Sequence, residues 1–175
     1  MRQLVYSVAT SLDGFIAGPN GEFDWIIQDP TIDFLEIFGQ FDTAVMGRHS
    51  YEAILREGRS PTEFGMRVFV ASTTLEPGQH RDVTIIAADL AKTVAGLKRA
   101  SGKDIWLFGG GTIFRGMLDA GLVDRVDVSI IPVLLGGGIP LVPEGRRFPL
   151  EFKDSRTFPS GIVSLTYLIA SKPQL

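Results

Sequence analysis

The sequence has no cysteine and only two histidines, His49 and His80. That excludes a disulfide framework, a thiolate nucleophile and a Cys-ligated metal, and it leaves too few imidazoles for a histidine-rich zinc site, so no metal is expected. A basic excess is also missing. Seventeen Lys and Arg stand against 20 Asp and Glu, a net charge of -3, and the cations are scattered instead of forming the stripe that a phosphate backbone requires. Nucleic acid is therefore not an expected partner, whereas a small molecule is. No apolar run approaches the ~20 residues that span a bilayer, and the stretch 1–9 is too short for a signal core, so the expectation is a cytoplasmic protein with no membrane partner. What the chain does have is apolar content, 45% of 175 residues, enough to fill one core, and a single domain over 1–175 is expected.

Leu4, Val5, Tyr6, Val8 and Ala9 form a nearly continuous apolar run, the pattern of a strand buried on both faces. A loop follows with turn chemistry at Asp13-Gly14, Gly18-Pro19 and Asn20-Gly21; its Phe15, Ile16 and Ala17 favour covering something over a plain surface connection. Ile32, Leu35 and Phe38 recur at helical spacing and predict a short helix over 30–39, with Asp33 in its first turn and Asp24, Trp25 and Asp29 just ahead of it. An acid there either caps the helix or meets a ligand, and both readings stay open. Strands are predicted at 43–46, 67–74 and 82–86, and an amphipathic helix over 89–100 with Asp89 as its N-cap. Residues 124–131 alternate as a strand with one polar face, Gly136-Gly137-Gly138 opens a long loop, and 150–157 with 162–170 form a hairpin across Pro159-Ser160-Gly161. Alternating strands and helices with an antiparallel finish define an α/β domain with a central mixed, mostly parallel sheet.

The chemistry gathers where strands meet glycine. Residues 105–108 run into Gly109-Gly110-Gly111 and then a helical pattern to Leu118. Such a junction offers bare backbone N–H groups and the positive end of a helix to a phosphate, or it is a tight turn that needs positive φ. A second junction, Gly47-Arg48-His49-Ser50, adds a guanidinium fork suited to phosphate and a hydroxyl that can cap or donate. Phe114 stands where a dinucleotide fingerprint places its third glycine, and no Gly-Lys-Ser or Gly-Lys-Thr follows the run, so neither a Rossmann motif nor a P-loop fits.

The ordered motifs Ser11-Leu12-Asp13-Gly14-Phe15-Ile16-Ala17, Met46-Gly47-Arg48-His49-Ser50-Tyr51-Glu52, Val70-Ala71-Ser72-Thr73 and Phe108-Gly109-Gly110-Gly111-Thr112 resemble the dihydrofolate reductase superfamily. More closely they are similar to stand-alone relatives of the reductase domain of bifunctional riboflavin-biosynthesis proteins. The resemblance implies a three-layer α/β/α fold, a homodimer, and NADPH as hydride donor to a small pterin-like or aminopyrimidine-like substrate. It places Gly47, Arg48, His49 and Ser50 at the cofactor phosphates and Ser72 and Thr73 at the ribose 2′-phosphate. Gly109, Gly110, Gly111, Thr112 and Ile113 would line the pyrophosphate and nicotinamide side, with a Gly-Gly peptide that is often cis in the family. Ala9, Asp13, Gly14 and Ile16 would complete the nicotinamide pocket beneath the loop 13–25. Asp24, Trp25 and Asp33 are the substrate candidates, with Asp33 also the one candidate acid or orienter. Phe108 occupies the position where riboflavin-type reductases carry an acid, so the substrate is not named by motif. The alternative is a non-catalytic nucleotide-binding module that keeps the NADPH cleft.

Overall fold

The computed structural model describes residues 1–80 and 82–170. In chain order, β1 (Leu4–Ser11) and a short β2 (Phe15–Ala17) precede α1 (Phe34–Gly39), then β3 (Phe41–Gly47), α2 (Arg48–Arg56) and β4 (Arg67–Ala71). β5 (Gly78–His80), β6 (Val83–Ile86), α3 (Leu90–Arg99), β7 (Asp104–Phe108) and α4 (Gly111–Asp119) follow. The chain closes with β8 (Arg125–Ile131), β9 (Ile139–Pro140), β10 (Leu150–Thr157) and β11 (Val163–Ile169).

Nine of these strands form one sheet in the order β10-β11-β8-β1-β7-β3-β4-β6-β5. The six strands from β8 to β6 run parallel, while β11 joins β8, β10 joins β11 and β5 joins β6 antiparallel. This is the expected mixed, mostly parallel sheet with an antiparallel C-terminal hairpin. Alternation along the strands sends Leu4, Tyr6, Val45, Ile105, Leu107, Val126 and Val128 to one face, where Val94 of α3 and Phe114, Met117 and Leu118 of α4 cover them. Val5, Ala44, Met46, Val68, Val70 and Ile85 point to the other face, against Tyr51 and Ile54 of α2 and Phe38 of α1. Each of the Val, Leu, Ile, Met and Phe side chains among them, removed fully from water, contributes on the order of 1.5–3 kcal/mol. Tyr6 stacks on Phe114 with ring centroids 3.7 Å apart, which fixes α4 over the centre of the sheet.

Several boundaries differ from the sequence expectation, each for a local reason. The helix expected over 30–39 begins only at Phe34, because the Asp29 carboxylate takes the Thr31 backbone N–H at 2.8 Å and the Thr31 hydroxyl at 2.5 Å and turns the chain there. The strand expected to Thr74 ends at Ala71, where the Ser72 hydroxyl accepts from the backbone N–H groups of Thr74 at 3.2 Å and Leu75 at 3.0 Å. Asp89 does stand at the N-cap of α3, yet in a left-handed conformation, φ 51 and ψ 42, and without a side-chain cap bond. The loop opened by Gly136-Gly137-Gly138 contains β9, which pairs with β2 as a separate two-stranded sheet. Gly138 makes this pairing possible: it has φ +148, and a Cβ there would lie 2.2 Å from the Ala17 carbonyl oxygen. All peptide bonds among the described residues are trans, the Gly-Gly bonds included.

Candidate functional site

The site grows from the ends of two adjacent parallel strands. β3 and β7 finish side by side, with Met46 opposite Phe108, and each delivers the chain directly into a helix. α2 starts from Gly47 and α4 from Gly110, and neither start carries a side-chain cap bond. The two helices lie on opposite faces of the sheet, since Tyr51 belongs to one core and Phe114 to the other, so their positive ends converge on one sheet edge from both sides. They are in close contact there. A Cβ on Gly47 would lie 3.1 Å from Ile113 Cδ1, and one on Gly109 would lie 2.8 Å from Ser50 Oγ.

The three glycines of the first run are required for three different reasons. Gly109, at φ +61, turns the chain against Ser50. Gly110, at φ +75, turns it again beside open space, with no atom within 4 Å of its absent Cβ. Gly111 is buried, and its missing Cβ would lie 2.7 Å from the Pro140 carbonyl oxygen and 3.2 Å from that of Leu141, so it lets the β9 segment close over the start of α4. The arrangement leaves bare backbone at two uncapped helix starts around a gap, a setting that favours an anion.

Other residues named from sequence fall around this core in different states. Arg48 is half-buried; its guanidinium reaches Glu52 Oε1 at 2.8 Å and the ring of His49, whose side chain is exposed, at 3.2 Å. Thr112 is exposed on the first turn of α4. Ser72 and Thr73 follow β4, whose Ala71 pairs with Gly47, so they stand one strand beyond the junction. Ser72 is buried in its turn and Thr73 is exposed. Ala9 lies near the end of β1, opposite Ser129, and Ile16 lies in β2. The Gly14 carbonyl accepts from the Leu141 N–H at 2.9 Å. Asp13 acts as a latch: its carboxylate accepts from Ser11 Oγ at 2.6 Å and from the backbone N–H groups of Leu135 at 3.1 Å and Gly136 at 2.7 Å. These bonds, the Ser11 hydroxyl foremost, hold its pKa down to about 2.

The substrate candidates are not brought together. Asp33 is exposed and caps α1, accepting from the Glu36 N–H at 3.0 Å, which realises the capping reading. Asp24 is exposed, and half-buried Trp25 donates its indole N–H to the Glu22 carbonyl at 3.2 Å. Asp29 is buried and tied to Thr31 and, at 2.9 Å, to the backbone N–H of Ser160 in the β10–β11 turn; the Thr31 hydroxyl and Ser160 hold its carboxyl well below the usual range.

Two walls beside the junction escape the sequence reading. On the β7 side, Trp106 meets Phe108 edge-on at 4.7 Å and Phe38 of α1 at 5.0 Å, and its indole donates to the Ser7 carbonyl at 3.0 Å. On the β8 side, the same face of the sheet is polar. Ser7 pairs with Asp127, Asp127 with Thr166, and Ser129 with Ser164, whose hydroxyl oxygens are 2.9 Å apart. Arg125 reaches Asp127 at 3.1 Å, but burial outweighs it and raises the Asp127 pKa above the ordinary carboxylate value. The polar alternation of 124–131 was visible in the sequence, but a polar strand face ordinarily meets water.

Among the described residues, no group of three or more His, Cys, Asp or Glu is placed to hold a metal, and no helix is long and apolar enough to cross a membrane.

The family described as RibD C-terminal domain matches residues 2–164. A Bacillus subtilis (strain 168) protein, YyaP, described as uncharacterized, is 35% identical over 178 residues, covering 95% of this chain and 94% of its own. A second from the same organism, YwjB, also described as uncharacterized, is 30% identical over 163 residues, covering 90% and 92%. Among solved structures, a Shewanella sp. PV-4 protein assigned provisionally to riboflavin biosynthesis superposes with TM-score 0.83 at 27% identity, over 98% of this chain and 100% of that one. The Thermotoga maritima diaminohydroxyphosphoribosylaminopyrimidine deaminase/5-amino-6-(5-phosphoribosylamino)uracil reductase shares the fold, with TM-score 0.71 at 17% identity over 97% of this chain and 57% of that one.

Proposed function

Because the chain belongs to the RibD C-terminal domain family, we propose that it is an NADPH-dependent reductase that passes a hydride to a small, flat heterocycle of pterin or aminopyrimidine type. The observation that carries this reading is the convergence of two uncapped, glycine-led helix starts, α2 and α4, on one edge of the sheet. A dinucleotide brings a pyrophosphate and, in NADPH, a further phosphate. The gap beside Gly110 and the half-buried Arg48 fork suit them.

In this reading Gly47, Arg48, His49 and Ser50 bind the cofactor phosphates, with Ser72 and Thr73 taking the 2′-phosphate one strand further on. Gly109, Gly110, Gly111, Thr112 and Ile113 form the wall along the pyrophosphate and the nicotinamide, and Ala9, Asp13, Gly14 and Ile16 close the nicotinamide end. NADPH supplies the hydride when bound. The chain's own work is to hold the acceptor flat against it and to exclude water, for which a dedicated base is not required. The loop 13–25, latched through Asp13 to 135–136, positions the cover.

The test is a fluorescence titration of the purified protein with NADPH, followed by absorbance at 340 nm against a panel of pterins, aminopyrimidines and quinonoid acceptors. Saturable binding with loss of absorbance on one acceptor supports the reductase. Binding without turnover on any acceptor points to a non-catalytic nucleotide module, and no binding at millimolar NADPH contradicts the cofactor cleft itself. We also propose a homodimer formed through the C-terminal strands, where Leu150 and Phe152 of edge strand β10 are exposed, to be read from the solution mass.

A further inference from the structure

The segment between β9 and β10 runs back along α4 and is tied to both ends of that helix. At the start of α4, the Pro140 and Leu141 carbonyl oxygens close on Gly111. There the Leu141 N–H donates to the Gly14 carbonyl at 2.9 Å, and the Tyr6 hydroxyl donates to the Leu141 carbonyl at 3.4 Å. At the other end Asp119, the last residue of α4, accepts from Arg115 Nε at 2.8 Å and Nη2 at 3.1 Å, and from Arg146 Nε at 3.1 Å. Arg146 Nη2 also donates at 3.1 Å to the Asp119 carbonyl, one of those left open where a helix stops. Arg115 Nη1 returns a bond to the Arg146 carbonyl at 3.1 Å, and both guanidiniums lie over the Phe148 ring, 5.6 and 4.5 Å from its centre. Gly145 admits this arrangement, since a Cβ there would collide with the Arg115 guanidinium.

Between these ties the segment has little else to hold it. Leu141 and Phe148 pack on the core, but residues 142–147 are mostly exposed and line, with β8 and β11, a cavity of ≈ 710 Å³. A cavity in place of close packing leaves the two ends to fix the segment. The far tie is remote from the strand-to-helix junction: Gly111 and Asp119 stand about 12 Å apart at the 1.5 Å rise of an α-helix. The hydrogen bonds of the Asp119 carboxylate therefore reach none of the residues assigned to the cofactor, yet the segment it holds meets two of them, Gly111 and Gly14. The Arg115 hydrogen bond, foremost, holds the Asp119 carboxyl below the ordinary range, which keeps the acceptor ionised and the tie made.

We infer that Asp119 is a positioning residue for the nicotinamide end of the cofactor cleft: through Arg115 and Arg146 it sets where the 140–148 segment lies on α4, and that placement seats Leu141 against Gly14 and Gly111. The inference rests on the reductase reading for its cofactor. In that reading Gly14 closes the nicotinamide end and Gly111 lines the wall beside it, whereas Arg48, Ser72 and Thr73 read phosphates from α2 and the end of β4. Loosening the tie therefore weakens the hold on the half of the cofactor that carries the hydride and spares the half that carries the 2′-phosphate. The Asp119 side chain is 43% exposed, and an exposed ion pair contributes little to stability. Coupling passed through such a pair cannot exceed what the pair itself supplies, so the effect is several-fold.

The experiment uses the full chain as wild type, Asp119→Asn and Asp119→Glu, titrated calorimetrically with NADPH and with adenosine 2′,5′-bisphosphate, which carries the phosphate-bearing end alone. Asp119→Asn should weaken NADPH about three- to fivefold and leave the bisphosphate within about twofold. Asp119→Glu, which still reaches Arg115 one turn away, should return NADPH to within about twofold of the wild type. Amide hydrogen exchange on the nucleotide-free proteins reads the same coupling without the cofactor: the Leu141 amide should exchange about three- to fivefold faster in Asp119→Asn. Should Asp119→Asn fail to fold, Arg146→Gln carries the same comparison, since the Arg146 side chain is more than half exposed. Equal loss of both ligands marks a general structural effect and overturns the inference, as does an NADPH affinity or a Leu141 exchange rate that Asp119→Asn leaves unchanged. Failure of the wild type to bind NADPH while Leu141 exchange still responds to Asp119→Asn overturns the cofactor reading alone, and the seating of Leu141 by Asp119 stands.

Discussion

The chain contains two runs of three glycines with opposite assignments. Gly109-Gly110-Gly111 leads a strand into a helix and leaves open space at its centre, beside Gly110. Gly136-Gly137-Gly138 leads a loop into β9, and its last member lets backbone approach backbone, with Ala17 O 2.2 Å from where a Cβ would stand. The runs meet through the segment 139–143, which closes on Gly111 after Gly138 has seated it against β2. In both runs the last glycine makes room for backbone, Pro140 O and Leu141 O at Gly111 and Ala17 O at Gly138; the first run differs in opening onto space at Gly110 immediately before a helix start, which is where the proposed cofactor would lie. Identical composition therefore says nothing until the neighbours are known.

The largest effect is expected at Gly138. Gly138→Ala combines a positive φ with a backbone clash, and it should cost on the order of 3 kcal/mol, lowering the melting temperature by about 10 °C. An unchanged melting temperature would deny the second run its structural role. Next in size is Arg48→Ala. Its partner Glu52 is as exposed as Arg48 itself, so stability should change by no more than about 0.5 kcal/mol. NADPH affinity should nonetheless fall by about 2 kcal/mol in a fluorescence titration, and NADH affinity by less, if Arg48 reads a phosphate. Gly110→Ala should cost about 1–2 kcal/mol of stability for its left-handed backbone, and it should weaken NADPH about tenfold because the new methyl enters the open space. Gly138→Ala, by contrast, should leave the affinity of the folded fraction near that of the wild type.

The smallest effect concerns the latch on the second run. Asp13 has a folded pKa of about 2, below the ~3.9 of an unfolded aspartate, so its contribution is fully present above pH ~4 and is lost as pH falls from there toward 2. The difference in melting temperature between the wild type and Asp13→Asn should be constant above about pH 5 and shrink below pH 4. A constant difference down to pH 2 would mean that the latch does not depend on the carboxylate charge.

The parallel strands and both glycine-led helix starts were legible in the sequence, because long apolar runs ending in glycine have few other uses. The β2–β9 pair was not: strands of three and two residues separated by more than a hundred positions leave no periodic signal. The start of α1 was misplaced because Asp29 and Thr31 offer the backbone a turn that competes with helix. The residues proposed for the cofactor stand out in the sequence as ordered motifs, while Asp127 lies in an ordinary alternating strand. Its raised pKa comes from burial that outweighs Arg125 and Thr166, and neither that burial nor the cross-strand Thr166 is a property of local sequence.

The meeting of α2 and α4 at the ends of β3 and β7 is the proposed phosphate-reading cofactor cleft. Its most direct test is the ratio of NADPH to NADH affinity in the wild type and in Arg48→Ala, measured by fluorescence titration. A phosphate-reading cleft should bind saturably with NADPH favoured about tenfold or more, and that ratio should collapse toward one in the variant. Binding of neither nucleotide, or a ratio that Arg48→Ala leaves intact, would contradict it.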